Sequence, residues 1–314
     1  MKLSVIVPCY NEEENVCLFY KEFVRVFKHF KYEYELVFVN DGSKDKTWEK
    51  LQELCINSKE NIKIINFSRN FGKEAAMYAG LKEASGDFFS LIDADLQQRP
   101  EVLLEMFDIL DSNDEYDCVA AYQKVRNEGT ILKFFKDCFY KLINKISDVN
   151  FIQGASDFRV FRKCVRDAII EIGERQRFTK GIFSFVGFNT YFMSYKAEER
   201  VNGVSKWSFV SLFKYAISGI VSFSTFPLKL PVFLGVLLVL IALIFLIIGL
   251  IFEISLVIVM LFFLLIFLSG LQFIVIGVVG QYIAMIYGEV KQRPIYIVRD
   301  ILTSDGKKKV SKKK

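Results

Sequence analysis

The chain is poor in the side chains that many enzymes use for nucleophilic or metal chemistry. Its 314 residues include one histidine, His29, and six cysteines that are scattered without a C-x-x-C pair. A single histidine excludes Ser-His-Asp triads and sites built on several histidines. The unpaired cysteines indicate neither a zinc site nor a disulfide framework, and they fit a reducing cytoplasm. Carboxylates, lysines and arginines are therefore the groups left for catalysis.

The chain also lacks a basic body. The formal net charge is +5, but six lysines and one aspartate after residue 304 account for all of it. We therefore expect no nucleic-acid partner. The apolar run at residues 1–8 is too short for a signal peptide, so we expect the chain to begin in the cytosol.

Short β-branched runs alternate with amphipathic stretches in the first part of the chain. The runs cover residues 3–7, 36–39, 62–67, 88–92, 118–122 and 157–161. Apolar residues recur at helical spacing within 48–55 and 103–110, and Pro100 suits a first helical turn. This alternation predicts an α/β fold with a mostly parallel, Rossmann-like sheet. Ligands bind at the carboxyl ends of such strands, so the loops after Val7, Val39, Phe67 and Ile92 are the predicted site.

Two long uncharged apolar stretches, residues 231–252 and 254–287, are separated only by Glu253. About 20 residues cross a bilayer, so they predict two transmembrane helices, with a pair of buried core helices as the alternative. Lys291, Arg293 and the lysine tail mark the cytoplasmic side of the inner (plasma) membrane, where both termini are expected. We divide the chain into a cytoplasmic α/β domain (1–200), an interfacial segment (201–228), the two helices (229–288) and a basic tail (289–314).

Acidic residues follow the apolar runs at the predicted site. Asp93 and Asp95 lie two residues apart beyond a strand, where they could share one hard cation, Mg²⁺ or Mn²⁺, that bridges them to a diphosphate. Asp41 is expected to face a ligand, while Ser43 or Asp45 caps the following helix. A lone D-x-D is common in turns, and its position at a strand end is what indicates function.

Three motifs together resemble family 2 glycosyltransferases of GT-A fold: IVPCYNE at residues 6–12, VNDGS at 39–43 and DADLQ at 93–97. Further motifs make the chain similar to the polyprenyl-phosphate glycosyltransferases, which include bactoprenol glucosyltransferases and dolichyl-phosphate mannose synthases. They are GKEA at 72–75, DFR at 157–159 and RVNGVSKW at 200–207. Two C-terminal spans also match the bacterial members.

The resemblance implies roles for individual residues. Asp93, Asp95 and Gln97 would organise the metal and the diphosphate, and Asp41 would contact the nucleotide. Asp157, the third predicted catalytic residue beside Asp93 and Asp95, would lie near the acceptor as a base or a positioning group. A phosphate monoester is already largely dianionic at neutral pH, which favours positioning. The other expected substrate-binding residues are Pro8, Tyr10, Glu12, Lys73, Arg126, Arg159, Arg200 and Lys206.

The implied activity is that of a membrane-anchored inverting glycosyltransferase. It would move one sugar from a nucleotide sugar, UDP-glucose or a related UDP-hexose, to undecaprenyl phosphate. The implied partners are the donor, the polyprenyl phosphate, the lipid bilayer and further copies of the chain in a homo-oligomer such as a tetramer. Two alternatives stay open: a processive or other-acceptor family 2 enzyme, which the weak Q-x-x-R-W-like motif at 175–178 disfavours, and a catalytically silent membrane scaffold.

The chain departs from the resemblance directly after the D-x-D motif. Many relatives have an acidic residue and a proline where this chain has Gln98 and Arg99. A third acid is therefore absent, and Arg99 is expected to add a positive charge beside the diphosphate.

Overall fold

The structure is a computed structural model of the chain. It describes residues 1–123, 155–175, 177–195, 237, 257–304 and 309–310. The sequence also predicts an amphipathic helix at residues 130–148. This helix, the interfacial segment at 201–228 and the first predicted span at 231–252 lie outside the described residues, apart from Leu237.

Nine strands in the described residues form one sheet, in the order β7-β5-β6-β4-β1-β2-β3-β8-β9. Strands β1 to β4 pair in parallel, β5 pairs in parallel with β7, and β6, β8 and β9 run antiparallel to their neighbours. The strands are β1 (Lys2–Cys9), β2 (Glu33–Asn40), β3 (Ile62–Phe67), β4 (Phe88–Leu91), β5 (Cys118–Gln123), β6 (Ala155–Arg162), β7 (Thr190–Tyr195), β8 (Val298–Thr303) and β9 (Lys309–Val310).

Helices cover both faces of this sheet. They are α1 (Val16–Phe27), α2 (Thr47–Asn57), α3 (Lys73–Glu83), α4 (Pro100–Ser112), α5 (Lys163–Glu171) and α6 (Thr179–Phe185). The core between α1, α2, α4 and the sheet is rich in buried phenylalanine. The core on the other face joins α3, α5 and α6 to the sheet. A further helix, α7 (Val257–Val290), lies between β7 and β8 in the chain, and none of its described residues is in either core. Successive strand residues alternate between these cores, as Val5 and Ile6 do.

The six strands and two helices predicted from hydrophobic runs are confirmed, including the start of α4 at Pro100. The α/β layering is confirmed with them. A proline fits this position because its fixed backbone angle suits a helix and its missing amide hydrogen has no partner there.

The C-terminal part of the chain joins the same sheet, which the sequence did not predict. Strand β8 lies inside the segment assigned to the basic tail and pairs antiparallel with β3. Just before β8, the ring of Tyr296 stacks on Phe67 with centroids 5.0 Å apart, and the Ser68 amide donates to the Ile297 carbonyl at 3.0 Å. The residues after α7 therefore pack against the loop that follows β3.

Helix α7 precedes this segment. Among the described residues, one segment is long and apolar enough to cross a membrane, by length and composition. It is the 24-residue part of α7 from Phe267 to Val290. Its end is held to the sheet domain by Arg175, whose Nε donates to the Arg293 carbonyl at 2.7 Å and whose Nη1 lies 3.2 Å from a Glu289 carboxylate oxygen. The described residues thus contain one candidate for the two predicted spans.

Candidate active site

The loops after β1 and β2 are bound to each other. The Asn11 amide donates to Ser43 Oγ at 3.0 Å, the Lys44 amide donates to Asn11 Oδ1 at 2.8 Å, and the Glu12 amide donates to Thr47 Oγ1 at 2.8 Å. Asn11 has a φ of 52°, a left-handed conformation that asparagine tolerates better than most residues. The two loops therefore form one fixed wall at the carboxyl edge of the sheet.

Three expected substrate-binding residues lie in this wall. Pro8, Tyr10 and Glu12 are all half-buried. Glu12 Oε2 accepts a hydrogen bond from Asn15 Nδ2 at 2.7 Å, so its carboxylate helps to hold the turn into α1. Pro8 lies near the end of β1, and Tyr10 and Glu12 lie between β1 and α1.

Asp41 supports the neighbouring loop instead of capping α2. Its Oδ1 accepts the Phe71 amide at 2.7 Å, and its Oδ2 accepts the Gly72 amide at 2.9 Å. Burial raises the pKa of Asp41, and these two amides oppose that rise. Asp45, one of the two predicted caps, accepts the Thr47 amide at the start of α2 at 3.1 Å. Asp41 is 3% exposed. Its two hydrogen bonds fix the backbone that leads into α3.

Gly42 makes this close approach between loops possible. Its φ is +61°, and a side chain there would overlap the backbone of Arg69 and Asn70. Glycine is the residue that fits both demands. The loops after β2 and β3 are consequently packed backbone to backbone.

The D-x-D motif lies at the end of β4, as predicted. Asp93, Asp95 and Gln97 are each half-buried. Asp95 Oδ1 accepts the Gln97 amide at 3.2 Å, and Leu96 between them has a φ of 58°. This tight turn brings the two carboxylates and the amide into one short loop.

Lys73 joins this loop to strand β6. As the first residue of α3, it places its Nζ 2.6 Å from Asp93 Oδ1 and 2.9 Å from Asp93 Oδ2. The same Nζ lies 3.6 Å from Asp157 Oδ2. Burial would lower the pKa of Lys73, but the charges of Asp93 and Asp157 outweigh it and raise the pKa. One ammonium group therefore faces two of the predicted catalytic carboxylates.

Asp157 is more enclosed than Asp93, whose side chain is 32% exposed. The side chain of Asp157 is 17% exposed, and its Oδ1 is buried and has no hydrogen-bond partner among the described residues. Burial alone would raise the pKa of Asp157, but the positive charges of Lys73, Lys180 and Arg159 outweigh it and lower the pKa. Asp157 is therefore ionised at neutral pH and is a weak base.

Gln98 is a site residue whose role the sequence did not predict. It is 7% exposed, and its Oε1 accepts the Asp93 amide at 2.9 Å. Its Nε2 lies 3.4 Å from Asp93 Oδ2 and 3.3 Å from Ser156 Oγ. An amide can donate and accept at once, whereas an ionised acid can only accept. Gln98 therefore bridges the D-x-D loop to β6. Its neighbour Arg99 is exposed and helps to lower the pKa of Glu22 on α1.

Glu74, beside Lys73, is a second residue near the site whose role the sequence did not predict. Its Oε2 accepts the Thr179 amide at 2.9 Å and also the Thr179 hydroxyl, so it holds the start of α6. Burial and the charge of Asp157 raise the pKa of Glu74 to about 7, against the lowering effect of these bonds. In a sequence, an acid in the first turn of a helix is interpreted as a helix-stabilising residue. The contact with Thr179 was not predictable because the two residues are 105 positions apart.

The arginines near α5 and α6 have structural contacts. Arg159 is 5% exposed, and its guanidinium lies 4.2 Å from the ring centre of Phe183. Arg177, in the weak Q-x-x-R-W-like motif, is 7% exposed and donates to the Ile172 carbonyl at 2.5 Å, closing the end of α5. The remaining expected substrate-binding residues, Arg126, Arg200 and Lys206, lie outside the described residues.

The carboxylates of the D-x-D loop suit Mg²⁺ or Mn²⁺ if a substrate supplies further ligands. Among the described residues, no three His, Cys, Asp or Glu side chains are grouped so that they could hold a metal by themselves. Mg²⁺ is commonly held by one or two carboxylates together with substrate phosphates and water. Asp93 and Asp95 can supply those carboxylates, so the residues fit a cation that arrives with a phosphorylated substrate.

Comparison with known proteins identifies the family of the chain. The family model described as Glycosyl transferase family 2 matches residues 4–169. The chain is 40% identical over 310 residues to the bactoprenol glucosyl transferase of Shigella phage SfV, covering 96% of this chain and 99% of the relative. The chain belongs to glycosyl transferase family 2. It is also 38% identical over 307 residues to an uncharacterized glycosyltransferase of Synechocystis sp., covering 96% of each chain.

This family 2 glycosyltransferase has the predicted GT-A-like α/β fold, with the parallel strands β1 to β4 at its centre. Among solved structures it is similar to glucosyl-3-phosphoglycerate synthase from Mycobacterium tuberculosis in complex with Mn²⁺, UDP-glucose and phosphoglyceric acid. The TM-score is 0.48 at 14% identity, covering 70% of this chain and 77% of that chain.

Proposed function

We propose that this glycosyltransferase transfers one sugar from a nucleotide sugar, UDP-glucose or a related UDP-hexose, to a polyprenyl phosphate such as undecaprenyl phosphate. The observation that carries the proposal is the near-complete match to relatives named bactoprenol glucosyl transferase, at 40% identity over 96% of the chain. A match of this extent includes the segments on both sides of the predicted membrane helices, so it supports a shared acceptor as well as a shared fold.

The loops at the carboxyl edge of the sheet support binding of the donor. Asp41 would contact the nucleotide with the oxygen lone pairs that the amides of Phe71 and Gly72 leave over, since each carboxylate oxygen can accept two hydrogen bonds. Asp93, Asp95 and Gln97 would hold the metal. When bound, Mg²⁺ or Mn²⁺ would neutralise the charge that develops on the leaving diphosphate.

The acceptor would be bound on the side of Asp157. An oxygen of the lipid phosphate attacks the anomeric carbon, a new carbon–oxygen bond forms, and the bond to the nucleotide diphosphate breaks with inversion. The phosphate is already deprotonated, so no proton has to be removed. The lowered pKa of Asp157 supports a positioning role for this residue. So does its ion pair with Lys73, in which Asp157 Oδ2 lies 3.6 Å from Lys73 Nζ. Arg126, Arg159, Arg200 and Lys206 would balance the phosphate charges.

Membrane attachment follows from the same proposal. Helix α7 would form the second of two spans, with residues 231–252 as the first, 201–228 as an interfacial segment and both termini in the cytoplasm. The link from Arg175 to Glu289 would keep the end of this span against the catalytic domain. A water-insoluble acceptor would then reach the site from the bilayer surface. We further propose a homo-oligomer assembled through these segments.

The test is sugar transfer by the full chain in lipid nanodiscs that contain undecaprenyl phosphate. Labelled UDP- and GDP-sugars are supplied with Mg²⁺, Mn²⁺ or EDTA, and label is counted in the lipid phase. We expect metal-dependent transfer from one donor, reduced about 100-fold or more in Asp95→Asn. Asp108→Asn, which removes the same charge from an exposed position on α4, is the matched control and should retain transfer. Donor binding without transfer to lipid would refute the acceptor.

A further inference from the structure

Lys73 occupies both oxygens of the carboxylate that the proposed metal needs. We propose that Lys73 is an exchangeable counter-ion: it closes the acidic site in the donor-free enzyme and passes to the donor diphosphate when a divalent cation takes Asp93. The inference rests on the proposed function, because it requires a diphosphate donor.

The contacts of Asp93 give the first argument. Lys73 Nζ lies within hydrogen-bond distance of Asp93 Oδ1 and Oδ2, at 2.6 and 2.9 Å. Gln98 Nε2 approaches Oδ2 as well, at 3.4 Å. A metal ion bound to Asp93 would lie beside the lysine ammonium, and two cations in contact repel one another. Metal binding therefore has to displace Lys73 from Asp93.

The backbone around Lys73 gives the second argument. Its preceding residues, Phe71 and Gly72, are held by Asp41, so the start of α3 is fixed. The lysine side chain itself has four rotatable bonds and is 37% exposed. The ammonium group can thus change partners while the helix stays in place.

Asp157 gives the third argument. Its Oδ2 lies 3.6 Å from the same Nζ, and its Oδ1 is buried without a hydrogen-bond partner in the part of the chain that the structure describes. A lysine that leaves Asp93 remains within reach of this second carboxylate and of a diphosphate bound between them. A diphosphate offers a higher negative charge than either acid, so it supplies the partner that Lys73 loses. Metal and donor would consequently bind as one linked event.

The test measures binding and not turnover. Mn²⁺ is titrated against the full chain in detergent and followed by the electron paramagnetic resonance signal of free Mn²⁺, without nucleotide. Lys73→Met should bind Mn²⁺ about tenfold more tightly than the wild type. Lys82→Met removes the same charge from an exposed position on the same helix and should leave the affinity unchanged. Lys73→Arg keeps the charge and should keep Mn²⁺ binding weak.

A second titration, of UDP at saturating Mn²⁺ by calorimetry, tests the other half of the exchange. Lys73→Met should bind UDP about tenfold more weakly than the wild type. Unchanged Mn²⁺ affinity without nucleotide, or unchanged UDP affinity with Mn²⁺, in Lys73→Met would overturn the inference. Failure of the wild type to bind either UDP or GDP would instead refute the proposed donor class, so the two failures are distinguishable.

Discussion

Two acidic groups, one buried and one half-buried, lie at opposite ends of the same sheet, and their surroundings differ. At the amino end, Glu35 is 2% exposed and accepts hydrogen bonds from Lys2 Nζ at 2.9 Å, Ser4 Oγ at 2.6 Å and the Ser85 amide at 2.6 Å. At the carboxyl end, Asp157 shares Lys73 with Asp93, and one of its oxygens is buried without a hydrogen-bond partner from residues 1–123, 155–175, 177–195 or the described C-terminal ranges. Within the described part of the chain, the hydrogen bonds of the first group are satisfied and those of the second are not.

The difference in hydrogen bonding distinguishes a group that stabilises the fold from a group that is available to a ligand. A buried charge whose hydrogen bonds are all made within the protein has no capacity left for a ligand, and its removal leaves its partners unsatisfied. A buried carboxylate with an unmet oxygen costs free energy in the unliganded state, and strain of this kind is common where a ligand binds. We therefore assign the Glu35 group to folding and the Asp157 group to the reaction.

Glu35→Ala is expected to give the largest loss of stability. It breaks a partly buried ion pair with Lys2 and leaves the buried Ser4 hydroxyl and the Ser85 amide without their acceptor, so the free energy of unfolding should fall by about 3–5 kcal/mol at pH 7. Denaturant unfolding of the full chain measures this value. Glu33→Ala, at an exposed position of the same strand, should change it by less than about 0.5 kcal/mol. Equal losses in the two variants would contradict the assignment.

The two ends also predict opposite effects of pH. Burial would raise the pKa of Glu35, but hydrogen bonds from Ser4, Lys2 and Ser85 outweigh it and lower the pKa. The stability that Glu35 contributes is therefore present above its ordinary pKa and is lost as the pH falls. The pKa of Glu74 is raised, to about 7, so the stability linked to Glu74 is present below its ordinary value of 4.5 and is lost as the pH rises to 7.

Glu74→Gln should remove the loss of stability that Glu74 causes as the pH rises to 7. Between pH 4.5 and 7 the folded wild type binds more protons at Glu74 than the unfolded chain does, so its free energy of unfolding should fall with pH by on the order of 1–3 kcal/mol from this group. Glutamine keeps an acceptor for Thr179 and does not titrate. Thermal unfolding of both proteins from pH 5 to 8 measures the slope, with Glu53→Gln on the exposed side of α2 as control. A slope that persists in Glu74→Gln would place its origin elsewhere.

The comparison also shows what the sequence could predict. The strands were predictable because their buried runs are local patterns, and the position of Asp93 and Asp95 followed from the strand before them. Parallel strands end at one edge, so it was also predictable that Asp41 and the D-x-D loop lie at the same edge of the sheet. These inferences need no knowledge of contacts between distant residues.

Other features depend on such contacts. Strand β8 is partly exposed and joins β3 from more than 200 residues away, so no local period marks its partner. Gln98 and Glu74 gain their roles from Ser156 and Thr179, which are distant in sequence. The absence of an acid at position 98 was visible, and an amide in its place is the one signal that could have pointed to a hydrogen-bond bridge.

Asp157→Asn should give the smallest change in stability and separates the two ends most directly. Asparagine keeps the side-chain shape, and Lys73 keeps both oxygens of Asp93, so the free energy of unfolding should change by about 1 kcal/mol or less. Transfer to undecaprenyl phosphate should fall about 100-fold, because the charge that positions Lys73 and the acceptor is lost. Glu35→Ala, measured beside it below its unfolding transition, should show the reverse pattern, with stability lost and transfer per folded molecule retained. If Asp157→Asn instead destabilises the chain as strongly as Glu35→Ala and retains transfer, the unmet oxygen of Asp157 belongs to the folded framework and the reaction is carried by Asp93 and Asp95 without it.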